Sequence, residues 1–412
     1  RLLLCTGIRS TFGYDSAMED PGVALRRALH ARPELRFAEH HTAARLREAL
    51  ESSGLTVTNG LARTGLLATY DTGRPGPAVL VRADMDAYPV TEQSGLPWAS
   101  TTVGVSHACG HDVHMAVVAT LMARLAVDPP GRGSVTAVFQ PAEEIPYGEA
   151  SGGREMVDAL VTRGVSADAV LGLHCWPDLA LGTVGVDAGI AMAAKRSFGI
   201  VVTGRSAHAA TPSDGRDAIL AAAQLVTGIH LAVQRARDPD ELVSVNVGTI
   251  AGGASQSSLA ARVELTGTIR THSDEVMARL VGVVERVAEG AAREADLEVT
   301  VEWANEMPAV VNDPALARLA LDLLGPRGCL MDRPALTTDD FALYRELAPS
   351  LYLKLGVTHP GNGPAAPLHS PFFRADDEAV AVGADALDVL VRHLLTDEGG
   401  DADAPVARRL SG

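Results

Sequence analysis

The 412-residue chain has few aromatic residues: seven Phe, six Tyr and three Trp make up 4% of it. It also lacks any basic block, and its formal charge is −16. Neither a phosphate-tracking surface nor a base-stacking platform is evident in such a composition, so nucleic acid is not an expected partner. Long apolar runs are missing too. AVLVRADM and VTAVFQP fall far short of the roughly 20 residues that a membrane span needs, and no basic, apolar leader opens the given sequence. No membrane partner is expected, and the expected compartment is the cytoplasm. Four cysteines (Cys5, Cys109, Cys175 and Cys329) are too few and too widely spaced for a disulfide framework, which suits a reducing compartment.

Apolar residues make up 47% of the chain, enough to bury a sizeable core in two or three domains. Residues 22–54 read as two helices interrupted at Pro33, the second with Ala43, Leu46 and Leu50 on one face. Short β-branched runs at 77–87, 133–144 and 168–176 then alternate with helical segments at 114–127 and 152–164. Near-continuous apolar strands alternating with helices imply an α/β fold, a mostly parallel sheet flanked by helices. Between 188 and 304 the order becomes strand, helix, strand, strand, helix, strand, the split βαβ arrangement of a ferredoxin-like α+β layer. The expected division is a catalytic domain at 16–187 and 305–396, an inserted domain at 188–304 and a disordered tail at 397–412.

In open α/β sheets ligands bind beyond the carboxyl ends of the strands. The residues there are Asp84 and Asp86, Glu143 and Glu144, His174, and His369 in a later loop, while Cys109 and His111 lie in a loop running into a helix. Carboxylates crowded at one rim repel unless a cation neutralises them, so the pattern favours a metal site, most simply one with two ions. At a loop-to-helix junction Cys109 and His111 can both turn to one centre, which leaves His107 and His114 to ordinary hydrogen bonding. In the pair Glu143 and Glu144, one carboxylate can bind metal while the other takes a proton from water.

Nine motifs in order resemble the metal-dependent aminoacylases, hippurate hydrolases and auxin-conjugate amidohydrolases, a branch of metallopeptidase family twenty. They are LHARPELRFAEHHTA, RADMDAYPV, HACGHDVHM, FQPAEE, GLHCWP, SAHAATP, GTIRT, TDDFALY and LHSPFF. The resemblance implies a zinc-exopeptidase-like catalytic domain and a lid or dimerisation domain. It implies two divalent ions per subunit, Zn or Mn with Co or Ni as further options, held by Cys109, His111, Glu144, His174 and His369. Cys109 would bridge the ions, Glu143 would be the general base, Asp86 would orient the site, and His208 would reach over the substrate carbonyl, in some relatives from the partner subunit. The implied activity is hydrolysis of N-acyl amino acids by a metal-activated water, in a homodimer or larger homo-oligomer formed through the lid.

The chain departs from the pattern at Ser213 and at Gln256-Ser257-Ser258-Leu259, in the lid, where substrate carboxylates or acyl groups are expected to be held. Gln256 and Arg270 are the candidate substrate-binding residues. Arg270 is either a planar fork for a substrate carboxylate or a strand-edge arginine paired with a nearby acid. The alternatives are a dipeptidase or pathway-specific deacylase on the same centre, and an inactive scaffold.

Overall fold

A computed structural model describes residues 20–362 and 365–396. The expected start of the catalytic domain at 16–19 and the expected tail at 397–412 lie outside the described residues. The first helix, α1 (Pro21–His30), starts where the Asp20 carboxylate accepts from Gly22 N and Val23 N. Pro21 sits at its first position, where a missing N–H costs nothing. Past Pro33, α2 (His40–Ser52) buries Thr42, Leu46 and Leu50.

A hairpin absent from the expected alternation follows, β1 (Thr56–Leu61) and β2 (Gly65–Asp71). Its first strand is largely exposed and polar, so no apolar pattern marks it. The turn falls not at Asn59-Gly60 but on Ala62 and Arg63, at φ 44° and 73°, so the usual turn dipeptide points to the wrong place. The chain then runs through β3 (Ala78–Asp84), α3 (His111–Val127), β4 (Ser134–Gln140), α4 (Gly152–Thr162), β5 (Ala169–Ala180), β6 (Val184–Val186) and β7 (Ile190–Met192).

Next come β8 (Ala194–Thr203), α5 (Ala218–Ala236), β9 (Val243–Gly252), β10 (Arg262–Thr271), α6 (Asp274–Ala295) and β11 (Glu298–Met307). The described chain closes with β12 (Val310–Val311), α7 (Pro314–Leu324), β13 (Gly328–Leu330), β14 (Ser350–Thr358) and α8 (Glu378–Leu394).

The central sheet has the order β1-β2-β4-β3-β5-β14-β6-β13 and is parallel through its middle, from β4 to β14. Those four strands are buried on both faces, as parallel strands must be. Val79, Val81 and Ala83 point into a core with α1, α2, α3, α7 and α8, while Leu80 points into a second core with α4 and the turn around Phe341. Helix α3 is buried on all sides, which its continuous apolar run demands.

Strands β8 to β11 form a separate antiparallel sheet in the order β11-β8-β10-β9, covered by α5 and α6, as the ferredoxin-like pattern requires. Helix α5 corrects one expectation: by length and composition alone it could cross a membrane. It is amphipathic, however, and Ala218, Ala221, Leu225, Ile229 and Val233 are buried in the core over this sheet.

Candidate metal centre

The acidic and histidine-bearing segments meet at the carboxyl ends of β3, β4, β5 and β14. Asp86, just past β3, is fully buried, and its two oxygens accept the backbone N–H groups of Glu143 and Glu144, each at 2.9 Å. This clamp fixes the loop after β4. Glu39 adds to it: its buried carboxylate accepts from Ala142 N at 2.9 Å and from Thr64 Oγ1 at 2.6 Å. Ala142 sits at φ 52°, a costly conformation for a residue with a Cβ, and these hydrogen bonds hold it there.

Gly110 caps α3 at φ 85°, and a Cβ added to it would lie 2.7 Å from Cys175 Sγ. Only glycine lets the chain turn there and send Cys109 and His111 to the same side. Cys109 Sγ lies 3.4 Å from His174 Nε2 and 3.3 Å from His369 Nε2, and His369 Nε2 is 2.7 Å from Glu144 Oε1. His369 is at φ 64° and stacks on Tyr88 at 4.0 Å between ring centroids.

The hydrogen bonds assign the imidazoles. His111 Nδ1 donates to Asp86 O at 2.8 Å, and His174 Nδ1 donates to Cys175 O at 2.8 Å. Nε2 is therefore the nitrogen that each ring turns to the cluster, a lone-pair donor once its proton is lost. His111 Nε2 is buried with no hydrogen-bond partner among the described residues, an expensive state unless a cation takes the lone pair. His114 differs: Cys175 N donates to its Nε2 at 2.8 Å and its Nδ1 donates to Asp84 at 2.6 Å, so neither nitrogen is free to bind metal. Neither ring nitrogen of His107 has a hydrogen-bond partner among the described residues, contrary to the expectation of ordinary hydrogen bonding, and burial pushes it down to about 4, so it stays neutral.

Two three-donor groups share one atom. Cys109, His111 and His174 converge as one group, Cys109, Glu144 and His369 as the other, with the donor atoms of each within 4.8 Å of one another. One soft sulfur, imidazole nitrogens and a carboxylate oxygen form a donor set that suits divalent transition ions. The residues fit two cations. Burial and the Glu144 and Glu143 carboxylates push the Cys109 thiol well above its ordinary range, so a thiolate at neutral pH needs positive charge beside it.

The same excess of negative charge shapes the other groups. Burial opposes charge on His111, yet Asp84 and Asp86 raise it to about 10, while burial and His114 push His174 down to about 3. Burial and the Glu144, Asp339 and Asp340 carboxylates raise Glu143 well above the usual carboxylate range, and His369 holds Glu144 below it, against burial. Glu143 is half-buried, and no described residue donates a hydrogen bond to its carboxylate.

Behind the centre, sequence reasoning missed a buried ionic knot. Arg82 pairs with Asp84 at 2.7 Å, Asp340 at 2.7 Å and Asp339 at 3.2 Å, and Tyr352 donates to Asp339. Asp84 sits two residues before Asp86 on β3, and that spacing was the signal available. The TDDFALY motif supplies the other two acids.

Two candidates lie elsewhere. His208 is exposed, with its Nδ1 accepting from Ala210 N and its backbone bridged to Ser258, and it joins neither donor group. Gln256 is exposed in the same loop region and also stays outside the cluster. Arg270 is half-buried. It donates to Leu336 O at 3.2 Å and to Thr338 Oγ1 at 2.9 Å, so the strand-edge pairing with an acid does not occur among the described residues.

The chain is similar to known proteins over most of its length. A Bacillus subtilis N-acetylcysteine deacetylase is 34% identical over 374 residues, 90% of this chain and 96% of the relative. An Arabidopsis thaliana IAA-amino acid hydrolase is 30% identical, covering 91% of this chain and 87% of the relative. The crystal structure of a dinuclear metal binding peptidase from Bacillus subtilis, of the M20 family, superposes with a TM-score of 0.75 at 32% identity, covering 91% and 97% of the two chains. The model of peptidase family M20/M25/M40 matches residues 80–393. With that match over most of its length, and with relatives that cleave amides, the chain belongs to peptidase family M20/M25/M40, in its branch of metal-dependent amidohydrolases.

Proposed function

We propose that the chain hydrolyses the amide bond of N-acyl amino acids, with Glu143 as the general base. The observation that carries this reading is the pairing of a carboxylate held by His369, that of Glu144, with a neighbouring carboxylate free of hydrogen bonds, that of Glu143. Cys109, His111 and His174 would hold one divalent cation, and Cys109, Glu144 and His369 the other. When bound, such ions supply Lewis acidity, which acidifies the attacking water and polarises the acyl oxygen.

Glu143 takes a proton from the water as its oxygen bonds to the acyl carbon. It then returns that proton to the amide nitrogen as the C–N bond breaks, releasing a carboxylic acid and an amine. Asp86 keeps the two glutamates in register by holding their backbone. Arg270 grips a carboxylate of the substrate, tethered by Thr338.

His208 acts in the centre of a partner subunit, because in its own chain it faces solvent. A homodimer through the lid is supported by the exposed Ile219 (47%), Leu220 (61%) and Leu231 (62%) of α5 and by Ile250 (53%) on β9, an edge strand whose unpaired backbone is open to augmentation.

The test is release of free amino acid from acetyl, benzoyl, indole-acetyl and long-chain acyl amino acids and from dipeptides, with and without chelator. Chelator-sensitive cleavage of an N-acyl amino acid supports the reading. Cleavage of dipeptides alone replaces it with the dipeptidase alternative.

A further inference from the structure

Lys195 lies near the start of β8 and Arg270 near the end of β10, and the antiparallel register sets them directly opposite each other. Opposed residues share one face of a sheet, and a like-charged pair there is destabilising unless an anion lies between the two. Both side chains are half-buried. Burial and the Arg270 charge lower the Lys195 ammonium, and burial lowers Arg270; the carboxylates that counter this in both cases are Glu143 and Glu144. Arg270 Nη1 donates to Thr338 Oγ1 at 2.9 Å, and the carboxylates that follow Thr338, Asp339 and Asp340, lie within 4.8 Å of Glu143, so the opposed pair sits beside the metal centre.

Neither is neutralised by contact. Among the described residues no carboxylate lies within ion-pair distance of Lys195 or Arg270, and Lys195 Nζ makes no hydrogen bond. Arg270 uses only Nη1, on Leu336 O and Thr338 Oγ1, which leaves Nη2 and Nε as a free fork. Thr338 precedes the Asp339-Asp340 pair locked by Arg82, so the fork is anchored to the floor of the centre.

We infer that Lys195 and Arg270 form one carboxylate clamp, in which Lys195 selects substrates carrying a carboxylate beside the scissile amide. The free fork of Arg270 matches the two oxygens of a carboxylate, and the ammonium supplies a point charge to a remaining lone pair. The inference deepens the amide-hydrolase reading and rests on it for the position of the scissile bond.

The test compares N-acetylmethionine with its carboxamide on metal-loaded wild-type protein, Lys195→Met and Lys195→Arg. The acid-over-amide ratio of kcat/KM falls about 10- to 100-fold in Lys195→Met, mainly through KM, and recovers most of the way in Lys195→Arg. An unchanged ratio in Lys195→Met overturns the clamp. Calorimetric titration of N-acetylmethionine into Glu143→Gln protein separates this from failure of the hydrolase reading. If wild type cleaves neither compound, binding that weakens by the same factor when Lys195→Met is added still sustains the clamp. Equal binding with and without that substitution, or no binding in either protein, overturns it.

Discussion

Asp86 holds Glu143 by its backbone, accepting its N–H at 2.9 Å with one oxygen while the other oxygen holds Glu144. The carboxylates proposed to transfer the proton and to bind metal are thus positioned by one buried side chain. Asp86→Ala removes both acceptors and leaves two buried N–H groups unsatisfied. We expect kcat to fall about 10- to 100-fold, with a similar loss of metal affinity, since groups that orient ligands matter on that scale. Steady-state kinetics and metal titration check this.

Cys109 belongs to both donor groups and His369 to one. Cys109→Ala should therefore abolish tight binding of both ions, whereas His369→Ala should lose one and keep the other. Metal content after dialysis, measured by mass spectrometry, separates the two outcomes.

If His208 acts in the partner's centre, two inactive variants should rescue each other. Mixed subunits of Glu143→Gln and His208→Ala carry one complete centre per heterodimer. Random mixing after dissociation then restores about one quarter of wild-type activity, from half the dimers with one of two sites intact. No recovery, with exchange verified, contradicts the arrangement.

His30 in α1 is nearly fully buried, beside Asp112 of α3 at 3.0 Å and Glu92 at 3.1 Å. Burial disfavours its charge, but the two carboxylates prevail and raise it from 6.5 to about 9. A raised folded-state value stabilises the fold fully below pH 6.5, and that stability is lost as pH rises through 9. The shift corresponds to something on the order of 3 kcal/mol. Asp112 and Glu92 stay ionised across this window in both states and add no slope. The stability difference between wild type and His30→Asn, followed by urea unfolding, should therefore shrink between pH 6.5 and 9.5.

The parallel strands and the donors at their ends were legible because position along an α/β strand decides where a side chain meets a ligand. Cys109, His111, Glu144, His174 and His369 all follow from that rule combined with the family resemblance. Lys195 was not legible: its meaning lies in being opposite Arg270, and register between residues 195 and 270 has no local signature. The hairpin at Ala62 and Arg63 was hidden because its turn uses residues that rarely take positive φ. His208 was legible as a motif, but the sequence does not say which chain's centre it faces.

In the proposed mechanism Glu143 moves the proton while other residues hold the metals. Metal content measured together with turnover in Glu143→Gln, on an N-acyl amino acid that the wild type cleaves, separates these two roles. Glu143→Gln should hold two ions per chain, as in wild type, with kcat reduced by at least about 10³-fold, within the range of a lost general base. Full metal content with more than a few per cent of wild-type turnover contradicts that mechanism.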